Sequence, residues 1–200
     1  MLSILDYGLG NLNSIRKSLT RIGVEAKIIS TGWELASAEK IILPGVGHFS
    51  AGMKNLIERG LVEPLQEQVI IRKKPILGLC LGMQLMTQHS EEGDMHGLGW
   101  FKAQTIRFFE SNGMRVPHEG WNSIELLKNN PLLTDLGVEP FFYFAHSYFV
   151  KAAPEDVLAN TSYGVEFASV IGKENIFGVQ FHPEKSHRKG LKLLSNFANL

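Results

Sequence analysis

The sequence contains a single cysteine, no long basic run and no long apolar run. With Cys80 alone, the chain cannot form an intramolecular disulfide or a zinc site built from several cysteines. Lys plus Arg equals Asp plus Glu at 20 each, so no nucleic-acid partner is expected. No apolar stretch approaches the ~20 residues that cross a bilayer, and the first residues lack a signal-peptide pattern. We therefore expect a cytoplasmic protein that does not bind membranes.

The composition is that of an ordinary globular protein. Apolar residues make up 44% and charged residues 20% of the 200 residues, which is sufficient for one hydrophobic core. We expect one domain over residues 1–200. Short apolar, β-branched runs alternate with helical patterns in the first hundred residues, which indicates a parallel α/β sheet. The predicted strands of this half are 3–6, 26–29, 40–43 and 75–79, and its predicted helices are 13–22, 49–68 and 81–89.

The second half has strand patterns with little helix between them, which indicates an antiparallel portion. A last apolar strand and a helix close the chain. The predicted fold is therefore an α/β domain with an open, mostly parallel sheet, helices on both faces and an antiparallel extension. The predicted elements of this half are strands 101–108, 122–127, 141–149, 165–171 and 176–181, and helix 190–200.

The segment Gly78-Leu79-Cys80-Leu81-Gly82 follows a predicted strand and precedes a predicted helix. This is the context of a nucleophile elbow, in which a sharp turn exposes one side chain. The glycines permit the turn, and the start of the helix favours a thiolate. The amide of Leu81 would face a developing oxyanion. An isolated cysteine is more often a small buried hydrophobic residue, so the elbow alone leaves both interpretations of Cys80 open.

His182-Pro183-Glu184 follows the last predicted strand, at the end of the sheet that faces ligands in parallel α/β proteins. His182 could serve as the base for Cys80, and Glu184 could hold the imidazole in one tautomer. Considered separately, His182 would be interpreted as a core histidine and Glu184 as a surface carboxylate. Together with a thiol on an elbow, they favour catalysis.

The segment Pro44-Gly45-Val46-Gly47 follows another predicted strand. Its glycines would let a backbone amide approach a substrate carbonyl, so it is a candidate for the second oxyanion donor. A tight turn between strand and helix accounts equally well for the same residues.

These three motifs resemble the triad-type class I glutamine amidotransferases, and the likeness covers the whole chain. Segments 6–12 (DYGLGNL), 44–47 (PGVG), 117–122 (PHEGWN) and 146–148 (HSY) resemble, more narrowly, the family of glutaminase subunits of imidazole glycerol phosphate synthases. The resemblance implies a thioester mechanism. In it, Cys80 attacks the side-chain amide of glutamine, His182 protonates the departing ammonia, and water then frees glutamate.

The resemblance also implies a partner, and it implies no metal and no cofactor. The partner would be a (β/α)8-barrel cyclase bound as a heterodimer. Ammonia would reach it through a channel, for synthesis of imidazole glycerol phosphate and an aminoimidazole carboxamide ribotide in histidine biosynthesis. The implied oxyanion residues are Val46, Gly47 and Leu81, the implied glutamine-binding residues are Gly47, Gln84, Glu92, His146, Ser147 and Tyr148, and the implied interface residues are Asn11, Asn13, Glu119, Trp121, Asn122, Tyr143 and Lys185.

In the family, segment 44–47 reorients before the oxyanion hole is complete, so the free subunit is expected to be nearly inactive.

One residue departs from the narrow pattern, since Glu119 stands where the family usually has an apolar residue, often methionine. This carboxylate leaves open a second synthase, one that amidates a surface-sugar nucleotide. A non-catalytic binding protein is disfavoured because the thiol, imidazole and carboxylate are all retained. A cysteine peptidase is disfavoured by the glutamine-binding motifs.

Overall fold

The computed structural model describes residues 1–109 and 115–200. Strands and helices alternate in the first 84 residues, and the apolar strand runs predicted there all form strands. The elements of this half are β1 (Leu2–Leu5), α1 (Leu12–Arg21), β2 (Ala26–Ile29), α2 (Gly32–Ser37), β3 (Lys40–Leu43), α3 (Phe49–Glu58), α4 (Val62–Gln66), β4 (Ile76–Leu79) and α5 (Leu81–Gln84).

The rest of the described chain is mainly strand, as predicted, and ends in a helix. The elements are β5 (His89–Ser90), β6 (Met95–His96), β7 (Ala103–Arg107), β8 (His118–Ser123), β9 (Glu125–Leu126), β10 (Phe141–His146), β11 (Tyr148–Ala152), β12 (Val157–Tyr163), β13 (Val165–Lys173), β14 (Ile176–Val179) and α6 (His187–Ala198).

Twelve of these strands form one sheet. Its first part has the order β2, β1, β3, β4 and β14, and every neighbouring pair in it is parallel. The sheet continues through β13, β11 and β7 with antiparallel pairing. Strands β8 and β10 form a separate antiparallel pair. The predicted fold class, an open parallel sheet with an antiparallel extension, is confirmed.

The central strands are buried on both faces because they are apolar at successive positions. In β3, Ile41 and Leu43 pack into one core with α2, α3 and α4, whereas Ile42 packs into a second core with α1 and α6. Successive side chains of a strand point to opposite faces, so an uninterrupted apolar run requires cover on both. Helices therefore lie on both faces of the sheet, as the sequence predicts.

The predicted helix 49–68 is interrupted. Helix α3 ends because Gly60 adopts a left-handed conformation with φ of +62°. The amide of Leu61 then donates to the carbonyl of Leu56 at 2.9 Å, which is the backbone pattern of a glycine-terminated helix. Helix α4 and a π-helical turn, Glu67–Ile71, follow as separate elements.

The predicted helix 81–89 is also too long, since α5 has a single turn. The hydroxyl of Thr87 donates to the carbonyl of Gln84 at 2.8 Å, and the amides of Leu98 and Trp100 bond the carbonyls of Leu85 and Met86. These bonds occupy the acceptors that a longer helix would use. A one-turn helix has a small dipole, so the predicted dipole effect on a Cys80 thiolate is weak.

Two other predicted strands are divided differently in the structure, and four of the elements given above were not predicted. The predicted strand 141–149 is divided at Ser147, because β10 pairs with β8 whereas β11 joins the main sheet. The predicted strand 122–127 corresponds to the end of β8 and to β9. The missed elements are strands β5, β6 and β12 and helix α2. Helix α2 had a signal in the sequence, since Thr31 and Glu34 have the spacing of a capping box. The Thr31 hydroxyl accepts from the amide of Glu34, and the Glu34 carboxylate accepts from the amide of Ser30.

Helix α6 packs closely on the turn that carries residues 183–185. A Cβ atom on Gly190 would overlap the carbonyl oxygen of Pro183, a backbone atom that cannot rotate away. The amide of Gly190 donates to the carbonyl of Ser186 at 3.0 Å. Glycine at this position therefore sets how closely α6 approaches the segment that contains His182.

We predict that Gly190→Ala lowers the free energy of unfolding. Inside a helix, alanine normally gives a free energy of unfolding about 1 kcal/mol higher than glycine does. A lower free energy of unfolding for Gly190→Ala would therefore come from the overlap with Pro183. We expect a net loss on the order of 2 kcal/mol in urea denaturation. The matched control is Lys189→Ala at the exposed neighbouring position, which should change stability by less than about 0.5 kcal/mol. A Gly190→Ala protein as stable as wild type would contradict the close packing.

Candidate active site

The candidate site lies at the carboxyl ends of three neighbouring strands, β3, β4 and β14. Leu79 pairs with Val179, so Cys80 and the segment that leads to His182 leave the sheet at the same level. A cavity of about 290 Å³ opens there. The residues that line it are Val46, Gly47, Cys80, Leu81, Gln84, Glu92, Pro117, Glu119, Ala145, His146, Ser147, Tyr148 and His182.

The backbone of Cys80 has φ of +50° and ψ of −107°, a conformation that is costly for any residue with a side chain. Two glycines make the turn sterically possible. A Cβ on Gly82 would overlap the carbonyl oxygen of Leu43, and one on Gly78 would lie 2.7 Å from the backbone of Gly82. Strand β4 and helix α5 thus meet at backbone contact, and the Cys80 thiol stands at the tip of the turn facing the cavity.

His182 lines the cavity with Cys80 and is bonded to a carboxylate. Its Nδ1 lies 2.9 Å from Oε1 of Glu184, whose side chain is only 2% exposed. The other Glu184 oxygen has no hydrogen-bond partner among the described residues. Burial lowers the pKa of His182, but the charge and hydrogen bonds of Cys80 and Glu184 outweigh it and raise that pKa to about 10. These two partners therefore favour the imidazolium form of His182.

The backbone around His182 is held by β10. The amide of His182 donates to the carbonyl of Tyr143 at 2.9 Å, and the Ser186 hydroxyl donates to the carbonyl of His182 at 2.6 Å. The same Ser186 oxygen accepts from the amide of Tyr143 at 3.0 Å. These three bonds fix the position of the imidazole relative to the strand that forms one wall of the cavity.

Segment 44–47 is anchored beneath the cavity by a buried tyrosine. The Tyr7 hydroxyl donates to the carbonyl of Pro44 at 2.7 Å, and burial together with the Cys80 charge raises the pKa of Tyr7. A Cβ on Gly45 would lie 2.7 Å from that of Leu81, so the segment packs on the start of α5. Gly47 has φ of +104° and Val46 is 40% exposed. Val46 and Gly47 of this segment thus line the same cavity as Cys80.

All the residues predicted to bind glutamine line the cavity. The Gln84 Nε2 donates to the carbonyl of Tyr148 at 2.9 Å and to Oε1 of Gln180 at 3.1 Å. Both amide hydrogens of Gln84 are therefore used, which leaves its Oε1 to accept a hydrogen bond from a ligand. Glu92 is held in the wall by a 2.8 Å hydrogen bond from the amide of Phe49.

A chain of hydrogen bonds through two buried histidines runs behind the cavity. Asn122 Nδ2 lies 3.3 Å from His118 Nε2, His118 Nδ1 lies 3.1 Å from His146 Nε2, and His146 Nδ1 lies 2.8 Å from the carbonyl of Tyr148. Because the carbonyl only accepts and the amide nitrogen only donates, every bond must run from Asn122 towards Tyr148. Both rings are then neutral. Burial lowers the pKa of His118 to about 4 and that of His146 to about 3.

Sequence reasoning missed two buried residues of the site, Gln180 and His118. Gln180 Nε2 lies 3.7 Å from Cys80 Sγ. A signal was present, because Gln180 precedes His182 by two residues and alternate residues of extended chain share a side. His118 had no such signal, since only the pairing of β8 with β10 brings it opposite His146.

Four of the predicted interface residues form one surface cluster beside the cavity. Trp121 is 46% exposed, and its ring lies 6.1 Å from that of Tyr143. The Tyr143 hydroxyl donates to Glu119 at 3.3 Å, and the Lys185 ammonium lies 5.5 Å from the Tyr143 ring centre. We call these four residues, with His187 stacked on Trp121, the aromatic patch.

The other three predicted interface residues are not part of that cluster. Asn11 caps the start of α1 by accepting from the amide of Ser14 at 3.3 Å, and Asn13 accepts from Arg16 at 3.1 Å. Both are exposed. Asn122 is half-buried, and its side chain donates to the carbonyl of Ser162 at 3.0 Å as well as to His118.

Within residues 1–109 and 115–200, no group of three or more His, Cys, Asp or Glu side chains could hold a metal ion. No helix in that part of the chain is long and apolar enough to cross a membrane.

We predict that His118 makes stability fall as the pH is lowered. Because its pKa is about 4 in the folded chain and 6.5 ordinarily, the unfolded chain binds a proton first and is favoured below pH 6.5. His118→Phe keeps an aromatic ring against Phe144 and Tyr163 but removes this proton uptake. Its free energy of unfolding should depend on pH less steeply than that of wild type, by about 1 kcal/mol per unit between pH 6 and 5.

The measurement is urea denaturation at several pH values in that range. His118→Phe also removes two hydrogen bonds, so its stability should be lower throughout, and only the slope tests the prediction. The control is His96→Phe, which replaces an exposed histidine and should keep the wild-type slope. Parallel curves for His118→Phe and wild type would contradict a neutral His118.

Comparison with known proteins agrees with this geometry. The family model for class-I glutamine amidotransferases matches residues 3–199. The chain is 44% identical to imidazole glycerol phosphate synthase subunit HisH 2 of Pseudomonas aeruginosa and 46% identical to subunit HisH 1 of Campylobacter jejuni, with 100% of each chain covered in both cases. A glutamine amidotransferase crystal structure is similar with a TM-score of 0.76 at 19% identity, covering 99% of this chain and 97% of that one. The chain belongs to the class-I glutamine amidotransferase family.

Proposed function

We propose that this chain is the glutaminase subunit of an imidazole glycerol phosphate synthase and supplies ammonia for histidine biosynthesis. The observation that carries the proposal is that Cys80 and His182 line the same cavity while Glu184 is bonded to the His182 imidazole. Relatives that are 44–46% identical over their full length are named as subunits of that synthase, which supports the narrower assignment. The domain would comprise residues 1–200, and a cytoplasmic location stays a prediction.

The proposed reaction has two steps at the same sulfur. The Cys80 thiolate attacks the side-chain carbonyl of glutamine, His182 gives its proton to the leaving nitrogen, and ammonia departs from a thioester. A water then attacks the thioester and gives a proton to His182, and the sulfur leaves as a thiolate with glutamate as product. Glu184 orients the imidazole and stabilises its charge.

The negative oxygen of each tetrahedral intermediate needs hydrogen-bond donors. We assign this role to backbone amides of Val46 or Gly47 and of Leu81, because these residues flank the thiol in the cavity wall. The positive φ and free space at Gly47 would allow the peptide to rotate, which supports the prediction that segment 44–47 reorients before the donor set is complete.

The remaining lining residues would bind the amino-acid part of glutamine. The Glu92 carboxylate suits the α-ammonium group, Oε1 of Gln84 can accept a hydrogen bond from the substrate, and the polar groups of 146–148 suit the α-carboxylate. A cavity of about 290 Å³ lies at the small end of the range for ligand pockets, roughly 300–1,000 Å³. This size supports a free amino acid as substrate.

The proposed partner is a (β/α)8-barrel cyclase subunit that receives ammonia through a channel. The aromatic patch supports this part of the proposal, because it presents an exposed tryptophan next to a tyrosine, and these two residue types are enriched among the residues that carry binding energy at interfaces. The patch borders the cavity through Glu119, so a partner seated on it would lie next to the point where ammonia is released.

We predict that glutamate release from glutamine depends on the cyclase and on its nucleotide substrate. The free chain should be nearly inactive, and the complex with nucleotide should be strongly stimulated, because segment 44–47 must reorient. Glutamate is measured with and without the cyclase and the nucleotide. In the complex, Cys80→Ala should reduce glutamine-dependent synthesis by a factor on the order of 1,000 or more, because the nucleophile is lost.

The control for the Cys80→Ala complex is synthesis from added ammonium salt, which should stay within about twofold of wild type because the cyclase chemistry does not use the thiol. Loss of both activities would contradict a dedicated ammonia supplier. If the cyclase stimulates glutamate release without its nucleotide, that result would contradict only the predicted coupling to the nucleotide and not the glutaminase activity.

A second candidate function keeps the glutaminase chemistry but changes the partner to an enzyme that amidates a surface-sugar nucleotide. The observation that favours it is Glu119, a carboxylate bonded to Tyr143 at the edge of the cavity and in the aromatic patch. A folded complex with the histidine-pathway cyclase that shows no stimulation by nucleotide would favour this candidate.

We predict that Trp121 is a major contact with the partner. Trp121→Ala should raise the Kd for the cyclase about 30-fold or more, since central interface tryptophans commonly contribute about 2 kcal/mol or more. The measurement is titration calorimetry. The matched control is Trp33→Ala, which removes a 79% exposed tryptophan on helix α2 and should leave the Kd unchanged. Equal effects of the two substitutions would argue against the aromatic patch as the interface.

A further inference from the structure

Gln180 is buried next to the nucleophile and has no role in the chemistry described above. Its side chain is completely inaccessible to solvent, and its Nε2 lies 3.7 Å from Cys80 Sγ, within hydrogen-bond range for sulfur. It directly follows β14 and precedes His182 by two residues. Gln180 and the imidazole therefore come from the same short segment.

The orientation of the Gln180 amide follows from its neighbours. The carbonyl of Tyr148 can only accept a hydrogen bond, so the group of Gln84 that faces it at 2.9 Å must be the NH₂. The second hydrogen of that NH₂ points to Gln180 at 3.1 Å, which must present its Oε1. The remaining end of Gln180, its own NH₂, then faces the sulfur. The chain of donors thus ends on Cys80 Sγ.

The two polar neighbours of the sulfur favour opposite protonation states. The carbonyl of Ala145, 4.0 Å from Sγ, can accept a hydrogen bond from a thiol but offers nothing to a thiolate. The NH₂ of Gln180 donates, so it stabilises the thiolate instead. Helix α5 is too short to supply this stabilisation through its dipole. His182 and Gln180 are thus the groups that balance the charge on the sulfur.

We propose that Gln180 is a catalytic residue that donates a hydrogen bond to the Cys80 thiolate and fixes the sulfur against His182. The catalytic part rests on the proposed function, whereas the effect on the thiolate does not. In thioester hydrolysis, the water oxygen bonds to the acyl carbon, the water proton goes to His182, and the electron pair of the broken C–S bond returns to Sγ. Gln180 stabilises that returning negative charge.

The test replaces the donor and follows the thiol directly. Because Cys80 is the sole cysteine, its alkylation by iodoacetamide reports on this thiol alone. Gln180→Glu keeps an oxygen for Gln84 but removes the NH₂, and Gln180→Met removes both polar ends at similar volume. In both variants the midpoint of the alkylation-rate profile should move up by about one pH unit or more, since hydrogen bonds to charged groups contribute at least that much.

The control is Gln104→Glu, the same amide-to-acid change at an exposed position on β7, which should keep the wild-type profile. Thermal denaturation identifies any variant that fails to fold, and either folded Gln180 variant suffices for the test. A Gln180→Met profile that superimposes on wild type would overturn the proposal.

Glutamate release by the stimulated complex gives the second readout. Gln180→Met should lower kcat at least about tenfold with little change in KM, because Gln180 touches the sulfur and not the bound substrate. A loss confined to KM would indicate a structural role and would also overturn the catalytic assignment. If wild type releases no glutamate, the proposed function fails, while the alkylation profiles still decide whether Gln180 stabilises the thiolate.

Discussion

The parallel pairing of β3, β4 and β14 is the constraint on which the rest of the site depends. Because the three strands are neighbours and run in one direction, the segments that follow them must leave the sheet together. Contacts between backbone atoms then restrict the conformation of the turn at Cys80. Gly82 lies against the carbonyl of Leu43, and Gly78 lies against Gly82, so the turn at Cys80 has almost no space to relax. The positive φ of Cys80 is maintained by this packing and by the Cys80 amide bonded to Val179.

The hydrogen-bond partners of each buried histidine decide whether its ring favours the charged or the neutral form. Burial lowers the pKa of His182, His118 and His146 alike. Only His182 has acidic partners, Cys80 and Glu184, and these reverse the effect on its pKa. His118 and His146 bond to each other and to neutral groups, so they stay uncharged. One cavity therefore combines an imidazole whose charged form is favoured by its partners with two buried rings that stay neutral.

The polar groups behind the cavity form a connected network because buried donors and acceptors must all be used. Tyr148 is its centre, since its carbonyl accepts from both His146 and Gln84. One branch leads through His146 and His118 to strand β8, which also carries Glu119 and Trp121 of the aromatic patch. The other leads through Gln84 and Gln180 to the sulfur. A partner that shifted β8 would thus act on groups that are bonded, step by step, to the nucleophile.

The sequence by itself determined the alternation of strands and helices, the elbow around Cys80, and the presence of a histidine and a glutamate after the last parallel strand. These are local patterns, readable from periodicity, glycine positions and motif context. Only the tertiary structure decided where α5 ends, that residues 141–149 divide between two sheets, and that His118 meets His146. Those features depend on hydrogen bonds between residues distant in the chain, such as Leu98 to Leu85 and the pairing of β8 with β10. The local secondary-structure propensities of the sequence do not predict such long-range hydrogen bonds.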